Sequence, residues 1–271
     1  LIVFYPNVPK IFYHVWHPGS EKSLMLPTFY IPHGGGPCFF MDWDPPDEWT
    51  RMRDFLSGFI SELPEQPGRL LIISAHWEEE QVTVSAGEKP GLIYDYYHFP
   101  PHTYQLTWSA KGDPELAGRI QKLLGNAGIE NRCDHQRGFD HGVFIPLKLA
   151  LPQADIRTVV VSLQCDLNPE FHLQLGKALA PLRRESVLII GSGMSYHNLS
   201  SMLSGRNSPE SKEFDIWLTD TVEGEPLLCL HLTQRSCDVA LGVPYNIAGY
   251  AFLLELFARF SGIQAGILGH T

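Results

Sequence analysis

Cysteines are few and irregularly spaced. Cys38, Cys133, Cys165, Cys229 and Cys237 are odd in number, and no CxxC pair occurs. A disulfide framework or a paired-cysteine zinc site is therefore not expected, and free thiols in a reducing compartment are. Long apolar runs are also missing. No stretch approaches the roughly eighteen apolar residues that a membrane-crossing helix needs. The apolar start is broken by Pro6 and Pro9 and lacks a basic opening and a small-residue cleavage site, so no secretory signal is expected. Positive charge is in deficit, with 20 Lys and Arg against 30 Asp and Glu and a formal net charge of −10. That balance argues against a general affinity for nucleic acid or an anionic membrane. The expectation is a cytoplasmic protein acting on a small molecule. Common fingerprints are absent as well. Ser192-Gly193-Met194-Ser195 makes no GxSxG elbow, which disfavours a serine hydrolase. Gly34-Gly35-Gly36 has neither the GxGxxG spacing nor a following GKT, which leaves a nucleotide fingerprint weak.

What is present is an ordinary globular composition, 44% apolar and 18% charged over 271 residues, enough for one large domain or two small ones. Residues 1–27 mix aromatics, prolines, His14 and His17 without periodicity and read as an extended arm. From Thr28 onward, buried-type strands alternate with helical periods. Strands are expected at Thr28–His33, Arg69–Ser74, Val82–Ala86, Arg157–Leu163 and Val187–Ile190, with a further one at Gln105–Trp108. Helices are expected over Glu48–Leu63, from Asp113-Pro114 to Gly125, after Pro146, from Asn168-Pro169 to Leu182, over Ser211–Val222 and over Ala248–Phe260. Tyr94–Tyr104 is a loop rich in Tyr, His and Pro, longer than a plain connection requires. With no repeat, low-complexity tract or linker, residues 28–271 are expected to form a single α/β domain with a central, largely parallel sheet flanked by helices.

Histidine is the abundant functional residue, with twelve in the chain. Three apolar runs end by delivering one. Leu70-Leu71-Ile72-Ile73-Ser74-Ala75 leads to His76, Thr28-Phe29-Tyr30-Ile31-Pro32 to His33, and Val187-Leu188-Ile189-Ile190 through Gly191-Ser192-Gly193 to His197. Ligand sites of α/β sheets lie outside the carboxyl ends of the strands, so three such histidines can converge on one metal ion. His141, inside Gly138-Phe139-Asp140-His141-Gly142, is a fourth candidate. Neutral imidazole suits Fe(II), Zn(II), Cu(II) and Ni(II) alike. A single histidine at a strand end is commonly a hydrogen-bonded polar residue and nothing more. The weight comes from the repeated topological position.

Five motifs then occur in order: Pro32-His33-Gly34-Gly35-Gly36-Pro37, Ile73-Ser74-Ala75-His76-Trp77-Glu78, Tyr94-Asp95-Tyr96-Tyr97-His98-Phe99-Pro100, Phe139-Asp140-His141-Gly142 with Pro146-Leu147, and Gly191-Ser192-Gly193-Met194-Ser195-Tyr196-His197-Asn198-Leu199. Over about Thr28 to Val222 they resemble the DODA-type extradiol aromatic ring-opening dioxygenases of the LigB superfamily. The resemblance implies one Fe(II) or Zn(II) per chain and insertion of O2 into a catechol ring beside its two hydroxyls, with DOPA-like catechols as substrates. It implies His33 and His76 as metal ligands, His197 as an acid/base residue also counted among the ligands, and His141 as a histidine contacting substrate or oxygen. Trp77, Tyr97 and Phe99 are candidate walls of an aromatic pocket, and Asp140 is a candidate to orient His141 or to cap a helix.

The chain departs from the family at its C-terminal side. The His-Pro-x-x-Glu-His-like segment followed by Pro-Leu, which supplies the family's remaining metal ligand, is absent. His231, Glu223 and Glu225 are the nearest substitutes, and His231 is taken as the candidate ligand. Two other readings stay open on the sequence: a catalytically impaired homologue that still binds metal, and a zinc-dependent hydrolase using the same histidines.

Overall fold

A computed structural model describes residues 25–63, 65–196, 209–223, 230–232 and 268–270. A six-stranded sheet organises them. Its strands are β1 (Thr28–Pro32), β2 (Arg69–Glu79), β3 (Val82–Ser85), β4 (Asn131–Asp134), β5 (Arg157–Gln164) and β6 (Val187–Gly193), in the spatial order β1-β6-β2-β5-β3-β4. β6 pairs in parallel with both β1 and β2, and β2 in parallel with β5. β3 meets β5 antiparallel at Val84 and Val161, and pairs in parallel with β4. The sheet is therefore largely parallel, as the alternation of strands and helices implies.

Both faces of the sheet are covered, which is why its central strands read as unbroken apolar runs. The pleat sends alternate residues to opposite sides. Leu70, Ile72, Val160, Leu188 and Ile190 share one core with Leu56 of α1 (Thr50–Gly58) and with Phe144 and Leu147 of α3 (His141–Ala150). Leu71, Ile73, Val159, Val161 and Ile189 share the other with Leu116 and Ile120 of α2 (Pro114–Asn126) and with Leu175 and Leu179 of α4 (Pro169–Leu179). Side-chain caps start α2 and α4 where the sequence places them. Asp113 accepts from the Leu116 N–H and Asn168 from the Phe171 N–H, each followed by a proline at the first helical position. A fifth helix, α5, spans Pro209–Glu223. A separate two-stranded parallel sheet joins β7 (Leu230–Leu232) to β8 (Leu268–His270). Among the described residues no helix is long and apolar enough to cross a membrane.

Several local expectations change. The helix expected over Glu48–Leu63 is regular only from Thr50 to Gly58. Gln105–Trp108 is not a strand. Its carbonyls are taken by side chains, Leu106 O by the Tyr94 hydroxyl and Thr107 O by Lys148 Nζ, so no ladder forms. β4 was not anticipated, because Asn131-Arg132-Cys133-Asp134 is a short polar edge strand with no apolar signal. α3 begins at His141 and not after Pro146, which lies inside it. β2 runs on past His76 to Glu79, but its pairing with β6 ends at Ser74 and its pairing with β5 is interrupted between Ile73 and Glu78. His76 thus stands in a bulged, unladdered part of the strand, where a side chain can be re-aimed. The helix expected over Ala248–Phe260 lies outside the described residues.

One buried histidine serves the fold. His172 is fully buried; its Nε2 accepts from the Gln164 N–H at 3.1 Å and its Nδ1 donates to Asn168 O at 2.7 Å. Both nitrogens are committed to the neutral form, and burial holds its pKa below the ordinary value, against partial opposition from Asn168 and Asp166. Below about pH 6.5 the unfolded chain binds a proton here that the folded chain refuses. The stability this site contributes is therefore complete above that pH and falls as pH drops through it. Urea midpoints compared between pH 7.5 and 5.5 should show a shallower pH slope for His172→Gln than for the wild type. An identical slope would refute the assignment.

Candidate metal centre

β1 ends at Pro32 and delivers His33 into the turn that follows, where it is 3% exposed. Gly34 holds φ +77°, and a Cβ there would run into Cys38 Sγ, so glycine is required directly after the histidine. His76 comes from the bulge of β2, and its side chain keeps 30% of its surface open. His141 is the first residue of α3 and is 6% exposed. One ring nitrogen from each of the three lies within 4.8 Å of the others. The Nε2 atoms of His33 and His76 face each other at 3.1 Å, and the His76 and His141 ring centroids are 4.0 Å apart. Two buried imidazoles and one reached from solvent make a three-nitrogen pocket with an open side. That donor set fits a divalent transition metal with room for further ligands.

Polar residues surround the rings. His141 Nδ1 donates to Asp95 Oδ1 at 2.8 Å, and the same oxygen accepts the His141 backbone N–H at 2.9 Å. Asp95 Oδ2 stands 3.9 Å from His76 Nδ1. Burial pushes the Asp95 carboxyl up, but its bonds and charge interaction with His141 outweigh burial and hold it below the usual carboxylate range. His33 Nδ1 lies 3.1 Å from Ser192 Oγ of β6, and that hydroxyl donates in turn to the Gly142 carbonyl.

Asp140 does not hold the His141 ring or cap α3. Its Oδ1 accepts from Ser74 Oγ at 2.7 Å and its Oδ2 from Arg137 Nη2 at 3.1 Å. Burial raises its pKa in spite of both. Arg137 also stacks over Trp77 at 4.9 Å. Gly142 sits in the middle of this arrangement. A Cβ there would lie 2.7 Å from Ser74 Oγ and 3.0 Å from His76 Cδ2.

The expected site residues divide. His33, His76 and His141 come together. His197 lies outside the described residues, which stop after Tyr196 on this stretch. His231 is on β7, opposite Gly269 of β8. Of the aromatic candidates, Trp77 is buried with its indole N–H on Glu79, Tyr97 is 76% exposed, and Phe99 packs edge-on to Tyr96. Tyr96 itself is the aromatic beside His141, with centroids 5.9 Å apart. Asp95 and Ser192 carry no role in the sequence reading. Both do lie inside the family-like motifs, Asp95 between two tyrosines and Ser192 between two glycines at the end of an apolar strand.

Known proteins are similar to this chain over most of its length. The family model for the catalytic LigB subunit of aromatic ring-opening dioxygenase matches residues 27–235. The 4,5-DOPA dioxygenase extradiol of Beta vulgaris is 41% identical over 204 residues, covering 74% of each chain. The dioxygenase tasH of Hapsidospora irregularis is 37% identical, covering 76% of this chain and 69% of that protein. A crystal structure of an uncharacterized Escherichia coli K12 protein superposes with a TM-score of 0.61 at 26% identity, covering 85% of this chain and 88% of that one. A second family model, thymidylate synthase, matches residues 212–271. The thymidylate synthase of Haloferax volcanii is 52% identical over 50 residues, which are 18% of this chain and 14% of that enzyme. Residues 212–271, where the expected C-terminal ligand motif would stand, are thus similar to thymidylate synthases. Over the greater part of its length, with three histidines gathered to receive a metal, the chain belongs to the LigB family of extradiol aromatic ring-opening dioxygenases.

Proposed function

We infer that this dioxygenase opens the ring of a DOPA-like catechol at one Fe(II) per chain. The observation that carries the reading is the imidazole triad of His33, His76 and His141, in a chain whose relatives are named 4,5-DOPA dioxygenases. The catalytic unit is the LigB-like part, residues 28–222, and a cytoplasmic location accords with free thiols and an acidic net charge.

His33, His76 and His141 hold the metal, so His141 takes the place expected of a C-terminal ligand and His231 is not required. Iron is chosen over zinc on chemical grounds: Zn(II) has no redox chemistry, and ring opening by O2 needs it. Bound there, Fe(II) would relay electrons from the catechol to O2 and would acidify the catechol hydroxyls. The protein's residues do the rest. The two buried rings keep bulk water from the inner side of the site, and the open flank at His76 admits a flat aromatic molecule. His197, whose motif follows β6, acts as acid/base and removes a catechol proton at neutral pH.

Full-length protein reconstituted anaerobically with Fe(II) should consume one O2 per DOPA and give a yellow ring-opened product. Absence of O2 uptake with DOPA and with other catechols would reject the reading.

A further inference from the structure

The three ligand rings would be useless to a metal if their protons sat on the wrong nitrogens. Each neutral imidazole carries one N–H, and which nitrogen bears it depends on the partner of the other. The hydrogen bonds around His33 and His141 decide this by counting protons.

Pro146 sets the first of these protons. Inside α3 it has no N–H, so the carbonyl four residues earlier, that of Gly142, loses its helical partner. Ser192 fills the vacancy by donating its hydroxyl proton to Gly142 O. A hydroxyl has one proton. With that proton spent, Ser192 Oγ can only accept from His33 Nδ1, 3.1 Å away. His33 must therefore carry its proton on Nδ1 and keep its lone pair on Nε2, which faces His76 Nε2 at 3.1 Å. Asp95 reaches the same outcome for His141. An ionised carboxylate only accepts, so His141 Nδ1, at 2.8 Å, must be the protonated nitrogen and Nε2 the free one.

Asp95 is well placed to do this because its loop is held stiffly. The Tyr94 hydroxyl donates to Leu106 O and the Tyr96 hydroxyl to Thr103 O, both at 2.7 Å, on either side of it. Tyr104 donates back to Tyr96 O at 3.2 Å. The long aromatic loop is thus a mount for one carboxylate.

We propose that Asp95 and Ser192 are positioning residues that set the tautomers of His141 and His33, so that both Nε2 lone pairs face the metal position before any metal arrives. The inference rests on the metal-centre reading above and adds two residues and a device to it. Asp95 contributes most, because it grips both the ring and the backbone of His141 and lies beside His76.

The test has two parts. Long-range 1H–15N correlation spectra of the metal-free wild type at pH 7.5 should show His33 and His141 in the Nδ1–H form. A predominant Nε2–H form at either ring would overturn the proposal without any variant. Zn2+ affinity, measured by competition with a chromophoric chelator, should then fall about 10- to 100-fold in Asp95→Ala and in Ser192→Ala. Asp95→Asn, which keeps an acceptor for His141 Nδ1–H, should recover part of the loss. Circular dichroism reports whether each variant is folded, and the isosteric Asn variant serves if the alanine one is not. Folded variants that bind Zn2+ as tightly as the wild type would overturn the role of these residues and leave the metal centre standing. A wild type that binds no Zn2+ would instead remove the metal-centre reading, and this inference with it.

Discussion

His76→Ala should leave a folded protein that no longer retains iron. Of the proposed ligands His76 is the one to remove, because its side chain is 30% open whereas His33 is 3% exposed and tied to Ser192. Its loss costs little packing and removes one of three nitrogens that gather within 4.8 Å. A metal centre contributes several kcal/mol of charge stabilisation to its reaction, so ring cleavage should fall on the order of 10³-fold or more. Iron content after anaerobic reconstitution and gel filtration should drop from one per chain to a small fraction, while the melting temperature of the metal-free protein stays within a few degrees. Stoichiometric iron with unchanged O2 uptake in the variant would refute the ligand assignment, and loss of turnover with full iron retention would move His76 from ligand to acid/base.

Phe144→Ala should produce the largest loss of stability. Phe144 is fully buried under the sheet in α3, three residues after His141, and packs edge-on to Tyr94 at 5.6 Å and beside Tyr96 at 6.5 Å. Truncating a buried phenylalanine to alanine costs about 3–5 kcal/mol, from lost transfer energy and from the cavity left behind. Against a typical domain stability of about 5–15 kcal/mol that is a large fraction. Urea unfolding of the two proteins at pH 7.5 checks it, with Phe144→Leu expected to lose under about 1.5 kcal/mol. A difference below about 1 kcal/mol for the alanine variant would mean that the core around α3 closes over the gap and does not hold the aromatic loop in place.

These two positions mark how far a sequence can be read. The apolar runs of β2, β5 and β6 announce buried strands, because a strand covered on both faces has no polar face to show. The Asp113-Pro114 and Asn168-Pro169 pairs announce helix starts, because each satisfies the first free N–H groups within its own turn. His33 and His76 are legible for a related reason. Each follows an apolar run directly in the chain, so its place beside the sheet follows from the local pattern, although the bulge that re-aims His76 does not.

The rest depends on contacts that close over distance. Pro146 looks like a helix breaker until Ser192 is seen to take the carbonyl it frees. Asp140, adjacent to His141, looks like its partner, yet its carboxylate is claimed by Ser74 and Arg137, and the partner is Asp95, 46 residues away. Ser192 meets His33 across 159 residues. The sequence by itself determined the central strands of the sheet and the histidines His33 and His76 near their ends, since those follow from hydrophobic period and local order, and its motifs carried the family resemblance. Only the tertiary structure decided which partners hold the His33 and His141 rings, Ser192 and Asp95. Those hydrogen-bond partners are brought together by the packing of α3 and an aromatic loop against the sheet, and no local pattern encodes them.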